Sequence, residues 1–314
     1  MRRATLRTFN TSRPFVFQVD TSLLSSPSGL IFGIESRSSN ANYSVITDDG
    51  FFESGITGGT TITFTEEGIR TITLYGYMPS IILGLGEYSA SGLIKVLEWG
   101  DNKWESFNNM FPNCVNLNFL GNDSPILSEE NDVRGMFSGL NVPSQLENWD
   151  FSLLETMEQM FSYSLPISAN LSNIDTSNVK NMRRTFLGSQ ANPNILSWDI
   201  RNVETMEGMF KDSNFNNSIG FWKPESLKDN GGKEMFSNSN MSSTNYTNTL
   251  VNWITHIRQN SSFNVTDFTG QTGMTFDNSL TYFLNPFFPT AASARDWVDM
   301  NQGYWNIAGD TRIN

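Results

Sequence analysis

The chain has 314 residues, and its 20 Lys and Arg against 32 Asp and Glu give a formal net charge of −12, which argues against nucleic acid as a partner. The single cysteine, Cys114, excludes an intramolecular disulfide, and with the single histidine, His256, it supplies too few soft ligands for an ordinary zinc site. No cofactor is expected. No run of about 18 apolar residues occurs, so the sequence predicts no membrane span.

The first residues form a basic segment on an otherwise acidic chain. Arg2, Arg3 and Arg7 lie in "MRRATLRTFN" without an apolar stretch behind them, so no classical export signal is predicted. We interpret residues 1–12 as an N-terminal arm that docks onto an acidic neighbouring subunit through charge-assisted hydrogen bonds. The alternative is that the arm folds back on the domain that follows it.

Residues 13–94 are predicted to form a β-sandwich. Apolar and polar residues alternate in "PFVFQVDT", "GLIFGIES", "NYSVITDDG" and "GTTITFTEEGIRTITLYGY", as in half-buried strands. Asp48 and Asp49 lack the ligand spacing of a calcium loop, which favours a turn over a calcium site. "YSVITDDG" followed by "EEGIRTITLYG" resembles a polycystic-kidney-disease-type or immunoglobulin-like module.

Residues 95–240 contain an internal repeat that ends in Met-Phe or a close variant. The six terminal phenylalanines follow one another at intervals of 26, 24, 25, 24 and 26 residues. They are Phe111, Phe137, Phe161, Phe186, Phe210 and Phe236. The other residues that define the repeat are Trp149, Asp150, Asp175, Trp198, Asp199 and Trp222.

Each repeat is predicted to contain a short amphipathic helix followed by a turn and a strand. Leu154, Met157 and Phe161 lie at i, i+3 and i+7, the spacing of one helix face. A unit of about 25 residues buries too little apolar surface to fold alone, so the units are expected to stack. The predicted fold class is therefore an N-terminal β-sandwich followed by an α/β leucine-rich-repeat-like solenoid of about six rungs of 24–26 residues, with residues 241–314 as its C-terminal cap.

The repeat pattern "W-D-x-S-x-V-x-x-M-x-x-M-F" resembles that of the BspA-like leucine-rich-repeat surface proteins, a family of bacterial cell-surface and phage-encoded proteins. The resemblance covers about residues 95–314. In its C-terminal part it includes "NTLVNWITHIRQ", "TGMTFD", "TAASARDWV" and "GYWNIAGDT". It implies a repeat solenoid closed by a terminal segment, and a role in surface adhesion.

A column of aspartates is the most prominent candidate site. Asp150, Asp175 and Asp199 each stand 11 residues before the Phe of their repeat. Stacked carboxylates could bind a cation or act as an acid–base pair. A capping role for the backbone amides of each repeat explains them better, because a repeated backbone needs a repeated cap. We therefore assign no catalytic, metal-binding or cofactor-binding residue.

Four further residues have some potential for binding or chemistry. His256 has no acid or nucleophile at a motif spacing and is interpreted as a helix-surface residue. Cys114 is interpreted as core packing. Phe287 and Phe288, which lie between prolines in "LNPFFPT", are candidates for an exposed binding loop, and a docked closing loop is the alternative.

These patterns favour a non-catalytic adhesion or receptor-binding protein. The interpretation places it in a phage virion, as a fibre or receptor-binding part, or on a bacterial cell surface. Its expected partners are a host-surface glycan or protein and, through the arm, other assembly proteins. A purely structural virion or surface protein is one alternative. A polysaccharide-active enzyme is the other, although no cluster of basic and acidic residues interrupts the repeats.

Overall fold

The structure, a computed structural model, describes residues 13–24, 29–84, 90–127, 131–167, 169–228 and 230–259 and four short strands nearer the C-terminus. The chain divides into two compact units, Met1–Asp150 and Phe151–Asn314. The predicted arm with Arg2, Arg3 and Arg7 lies outside the described residues, as do Phe287 and Phe288.

The first unit contains two β-sheets. Its strands are β1 (Phe15–Asp20), β2 (Leu30–Ser36), β3 (Asn42–Thr47), β4 (Phe52–Ile56), β5 (Thr60–Phe64), β6 (Ile69–Tyr77), β7 (Ile81–Leu83), β8 (Leu93–Glu98) and β9 (Phe119–Leu120). One sheet has the order β4-β3-β6-β1-β8-β9 and the other the order β5-β2-β7. All pairs are antiparallel except β8–β9.

The two sheets share an aromatic core. Every second residue of β1 is buried, as expected of a strand with one face on a core. The ring of Phe17 on β1 lies 5.8 Å from that of Phe32 on β2, so side chains of both sheets meet. Phe15 also contacts Trp99, at 5.4 Å between ring centroids.

The second unit begins with repeats that consist of turns. Among its described residues up to 240, the regular element is one 3₁₀ turn, Leu171–Asn173. The helix α1 (Ser243–Gln259) follows, and it packs Tyr246 and Trp253 against Phe236. Nearer the C-terminus, β10 (Asp267–Phe268) pairs in parallel with β12 (Asn306–Ile307), and β11 (Thr275–Asp277) with β13 (Thr311–Ile313).

Left-handed backbone flanks the terminal Phe of every repeat. The second residue before each Phe and the second residue after it both have positive φ. The pairs are Asn109 and Asn113, Gly135 and Gly139, Gln159 and Tyr163, Arg184 and Gly188, Gly208 and Asp212, and Glu234 and Asn238. A left-handed residue cannot continue a right-handed helix, so a helix is interrupted on both sides of the Phe.

Hydrogen bonds between repeats replace those of a helix. The N–H groups of Gln159 and Phe161 donate to carbonyls of the next repeat, those of Arg183 and Thr185, at 3.0 and 2.9 Å. The intervening N–H of Met160 closes a local turn onto the carbonyl three residues before it. Alternate amides thus join neighbouring repeats, and the rest stabilise each turn.

The predicted fold class, a β-sandwich followed by an α/β leucine-rich-repeat-like solenoid, is wrong. The described chain is mostly β-sheet with one α-helix, and the described repeats of the second unit have neither the helix nor the strand of an α/β unit. The apolar spacing at Leu154, Met157 and Phe161 was interpreted as a helix face. The left-handed residues Gln159 and Tyr163 instead fold that segment into successive turns that bury the same side chains.

Aromatic side chains line the core of the second unit. The rings of Phe161, Phe186, Phe210 and Phe236 stack at centroid distances of 5.4, 5.8 and 5.9 Å with nearly parallel planes. Trp198 donates its indole N–H to the carbonyl of Leu171 at 2.7 Å, so this buried donor is satisfied by the preceding repeat. The aromatic residues that define the repeat therefore form the core of this unit.

Charged residues on the surface of the second unit alternate in sign from repeat to repeat. Two columns show this: Glu155, Lys180, Glu204 and Lys228 in one, and Glu158, Arg183, Glu207 and Lys233 in the other. Lys180 pairs with Glu155, and Arg183 lies 3.3 Å from Glu158 and 3.2 Å from Glu207. Each repeat thus meets opposite charge on its neighbours, which favours this order of stacking.

We predict that Arg183→Glu lowers the free energy of unfolding by about 1–2 kcal/mol in low salt, since two ion pairs are lost and three carboxylates are brought together. Chemical denaturation measures the change. Arg183→Gln should cost less, because it adds no repulsion, and adding Glu158→Lys to Arg183→Glu should restore part of the loss. Equal stability of the charge-reversed variant and the wild type in low salt would contradict the role given to the columns.

Candidate functional site

Two carboxylates of the aspartate column accept hydrogen bonds from the backbone of their own repeats. The carboxylate of Asp175 accepts the N–H of Ser177 at 2.9 Å, and that of Asp199 accepts the N–H of Arg201 at 3.1 Å. Asp150 is the last residue of the first unit. Within the described part of the chain, no three His, Cys, Asp or Glu side chains come together as metal ligands would.

The other predicted residues have separate surroundings. Cys114 is buried, and burial raises the pKa of its thiol, which disfavours the nucleophilic thiolate. The Nε2 of His256 on α1 lies 3.4 Å from a carboxylate oxygen of Glu225. In the first unit, Asp48 accepts the backbone N–H of Thr71 at 2.9 Å, and Asp49 accepts a hydrogen bond from the hydroxyl of Thr47.

A cleft of about 170 Å³ lies between two successive repeats of the second unit. We call it the Phe221 cleft. It is lined by Leu196, Trp198, Asp199, Ile200, Arg201, Phe221, Trp222 and Lys223. The cleft is thus lined by the Trp at the start of each of these two repeats and by the neighbours of each Trp.

The cleft has an exposed apolar rim over a buried floor. Phe221 is 85% exposed and Leu196 43% exposed, whereas Trp198 and Trp222 are buried. Phe221 occupies the position that Ser197 has in the preceding repeat, directly before the Trp. An aromatic residue thus stands in water where the repeat otherwise places a small polar one.

A tight ion pair forms one side of the cleft. Arg201 donates from Nη2 to a carboxylate oxygen of Asp199 at 2.5 Å and from Nε to the other at 3.0 Å. These hydrogen bonds from Arg201 lower the pKa of Asp199. Asp199 is therefore held as an anion and is compensated by its own neighbour.

Lys223 gives the cleft an unbalanced positive charge. It stands in the Asp column, one repeat after Asp199, and its side chain is exposed. Over the described ranges, no carboxylate lies within ion-pair distance of its ammonium group. Asp199 and Arg201 pair with each other, so Lys223 is the unpaired charge among the residues that line the cleft.

The cleft lies in the part of the chain that resembles a known family. Residues 131–253 match the family described as Mycoplasma protein of unknown function, DUF285. No curated protein and no solved structure gives a significant match. Of the helices in the described residues, none has the length and apolar character needed to cross a membrane.

Sequence reasoning did not single out this cleft. The residues it selected as candidates for binding, Phe287 and Phe288, lie outside the described residues. The signal in the sequence was a pair of departures from the repeat, Phe221 in a polar column and Lys223 in the Asp column. The two residues stand on either side of the buried Trp222, and both line the cleft.

We predict that the ion pair of Asp199 makes the stability of the protein depend on acid pH. Because the pKa of Asp199 is lowered on folding, its contribution is present above the unfolded pKa of about 3.9 and is lost as pH falls through the lower folded value. Asp199→Asn should therefore be less stable than the wild type at pH 7, and the difference should shrink below about pH 4. Thermal unfolding across pH measures it.

Arg201→Gln is the matched variant, since it removes the partner and keeps the carboxylate. It should reproduce the loss at pH 7. A stability difference between Asp199→Asn and the wild type that stays constant from pH 7 to pH 3 would contradict this assignment of the charge pair.

Proposed function

We propose that the chain is a non-catalytic adhesion protein that binds a surface glycan through the Phe221 cleft. The observation that carries the proposal is the exposed ring of Phe221 beside Leu196, above a floor of buried indoles. Ligand sites are typically concave with a few placed polar groups, and this cleft sets Arg201 and Lys223 beside the ring of Phe221.

The exposed aromatic ring at the rim can bury apolar surface against a sugar. A phenylalanine can bury about 150–250 Å² against a partner, and the C–H face of a pyranose offers a flat apolar surface of comparable shape. Arg201 and Lys223 at the edge supply donors for sugar oxygens. The ring is 85% exposed and therefore available for contact with a ligand.

The carboxylates of the cleft support binding over hydrolysis. Glycoside hydrolases generally use two carboxyl groups that flank the scissile bond. Among the lining residues the only carboxylate is Asp199, and it is held by Arg201 and by a backbone amide. A polysaccharide-active enzyme is therefore the weaker alternative for this cleft.

The proposal includes membership of the BspA-like surface family and a place on an outer surface. The Trp-Asp and Met-Phe repeats support the family, and residues 131–253, which carry these repeats, are the part that matches a family model. The location we propose is a phage virion, as a fibre or receptor-binding part, with a bacterial cell surface as the alternative.

The test is binding of the labelled full chain to an array of neutral and acidic oligosaccharides. We expect retention on a subset of glycans without release of reducing ends. Phe221→Ser should lower the affinity by about tenfold or more, the equivalent of one buried aromatic contact. Tyr163→Ser is the control, because Tyr163 is 60% exposed in the same unit but lies outside the cleft.

Three results would contradict the proposal. Retention on no glycan would favour a purely structural role, and equal affinity of Phe221→Ser and the wild type would move the binding site away from the cleft. Release of reducing ends would favour the enzyme alternative.

A further inference from the structure

We infer that the ligand of the Phe221 cleft is an acidic saccharide, whose carboxylate pairs with Lys223 while its ring lies on Phe221. The inference rests on the proposed function and adds the chemical class of the glycan. Its basis is the exchange of a backbone-capping aspartate for an exposed lysine at the edge of the cleft.

Lys223 has no capping role in its own repeat. In the two preceding repeats, Asp175 and Asp199 accept the backbone N–H of the residue two positions later. A lysine side chain has no acceptor. In the last repeat, the corresponding N–H, that of Glu225, donates to the backbone carbonyl of Lys223 at 2.8 Å. The backbone is satisfied without the side chain, which is therefore available to a ligand.

Lys223 and Phe221 lie on the same side of the chain. Residues 221–225 alternate between exposed and buried, with Trp222 and Pro224 inside and the residues between them outside. Both residues also line the Phe221 cleft. A ring on Phe221 can therefore place a substituent beside the ammonium group of Lys223.

Of the charged residues that line the cleft, Lys223 is the one without a salt bridge. The carboxylate of Asp199 is bound by Arg201 through two nitrogen atoms. Glu225, on the same side of the chain, has a carboxylate oxygen 3.4 Å from Nε2 of His256 on α1. A chain of net charge −12 repels anions at long range, so such a ligand must be recognised through local contacts.

The experiment compares an oligogalacturonate with its methyl ester, two probes that share a sugar backbone and differ in charge. Calorimetric titration of the full chain measures both affinities. We expect the wild type to bind the acid about tenfold more tightly than the ester, and this preference to weaken with salt. Lys223→Gln should lose this preference and bind the acid and the ester with similar affinity.

Two further variants separate charge from structure. Lys223→Arg should retain the preference for the acid, because it keeps the positive charge, and Phe221→Ser should weaken binding of both probes. Since Lys223 is exposed and Phe221 is 85% exposed, unfolding is not expected, and circular dichroism checks it.

Equal affinity of the wild type for acid and ester, or an unchanged preference in Lys223→Gln, would overturn the inference. In both cases the proposed function would stand as long as Phe221→Ser lowers binding. Absence of binding to either probe also overturns the inference, and the glycan array then decides the proposed function separately. Equally tight binding of a hexaglutamate peptide would show that the cleft selects acidity alone, and would overturn the saccharide assignment.

Discussion

The second unit depends on backbone amides that donate from one repeat to the next. Phe186 and Gly188 donate to carbonyls of Met209 and Lys211, 2.9 and 2.8 Å away, and the pattern recurs in the adjacent repeats. Left-handed residues on both sides of each Phe make this possible, because they turn alternate amides outward. A helix would use the same amides internally and leave the repeats joined by side chains alone. Non-glycine residues such as Gln159 and Arg184 adopt this costly backbone because the bonds to their neighbours compensate for it.

This arrangement separates the core from the surface. The stacked phenylalanines and the Trp indoles occupy the interior, and the backbone ladder sets the spacing between repeats. Outward positions can then change without disturbing either. Some of them carry charges of alternating sign, which favour one order of neighbours. Other outward positions form the Phe221 cleft. There, Phe221 and Lys223 stand where the preceding repeat has Ser197 and Asp199.

The repeat length and its buried residues could be predicted from the sequence, but the conformation of the repeat could not. A spacing of i, i+3 and i+7 buries the same side chains in a helix as in these successive turns, so Leu154, Met157 and Phe161 do not distinguish the two. A sign of left-handed backbone was present in Asn109 and Asn113 and in Gly135 and Gly139, residue types that adopt it readily. Gln159, Arg184 and Glu234 at equivalent positions gave no such sign, because these residue types rarely adopt left-handed backbone. The position of the cleft could also have been predicted, since Phe221 and Lys223 differ from the residues at the same positions of the other repeats. The depth of the cleft depends on packing between repeats and could not.

Hydrogen-bond scalar couplings measured by NMR on the deuterated full chain test the turn-based repeat most directly. The account predicts couplings from the amide nitrogens of Gln159 and Phe161 to the carbonyl carbons of Arg183 and Thr185. Couplings from the amide of Phe161 to the carbonyl of Met157, four residues earlier, would indicate an α-helix and would contradict the account.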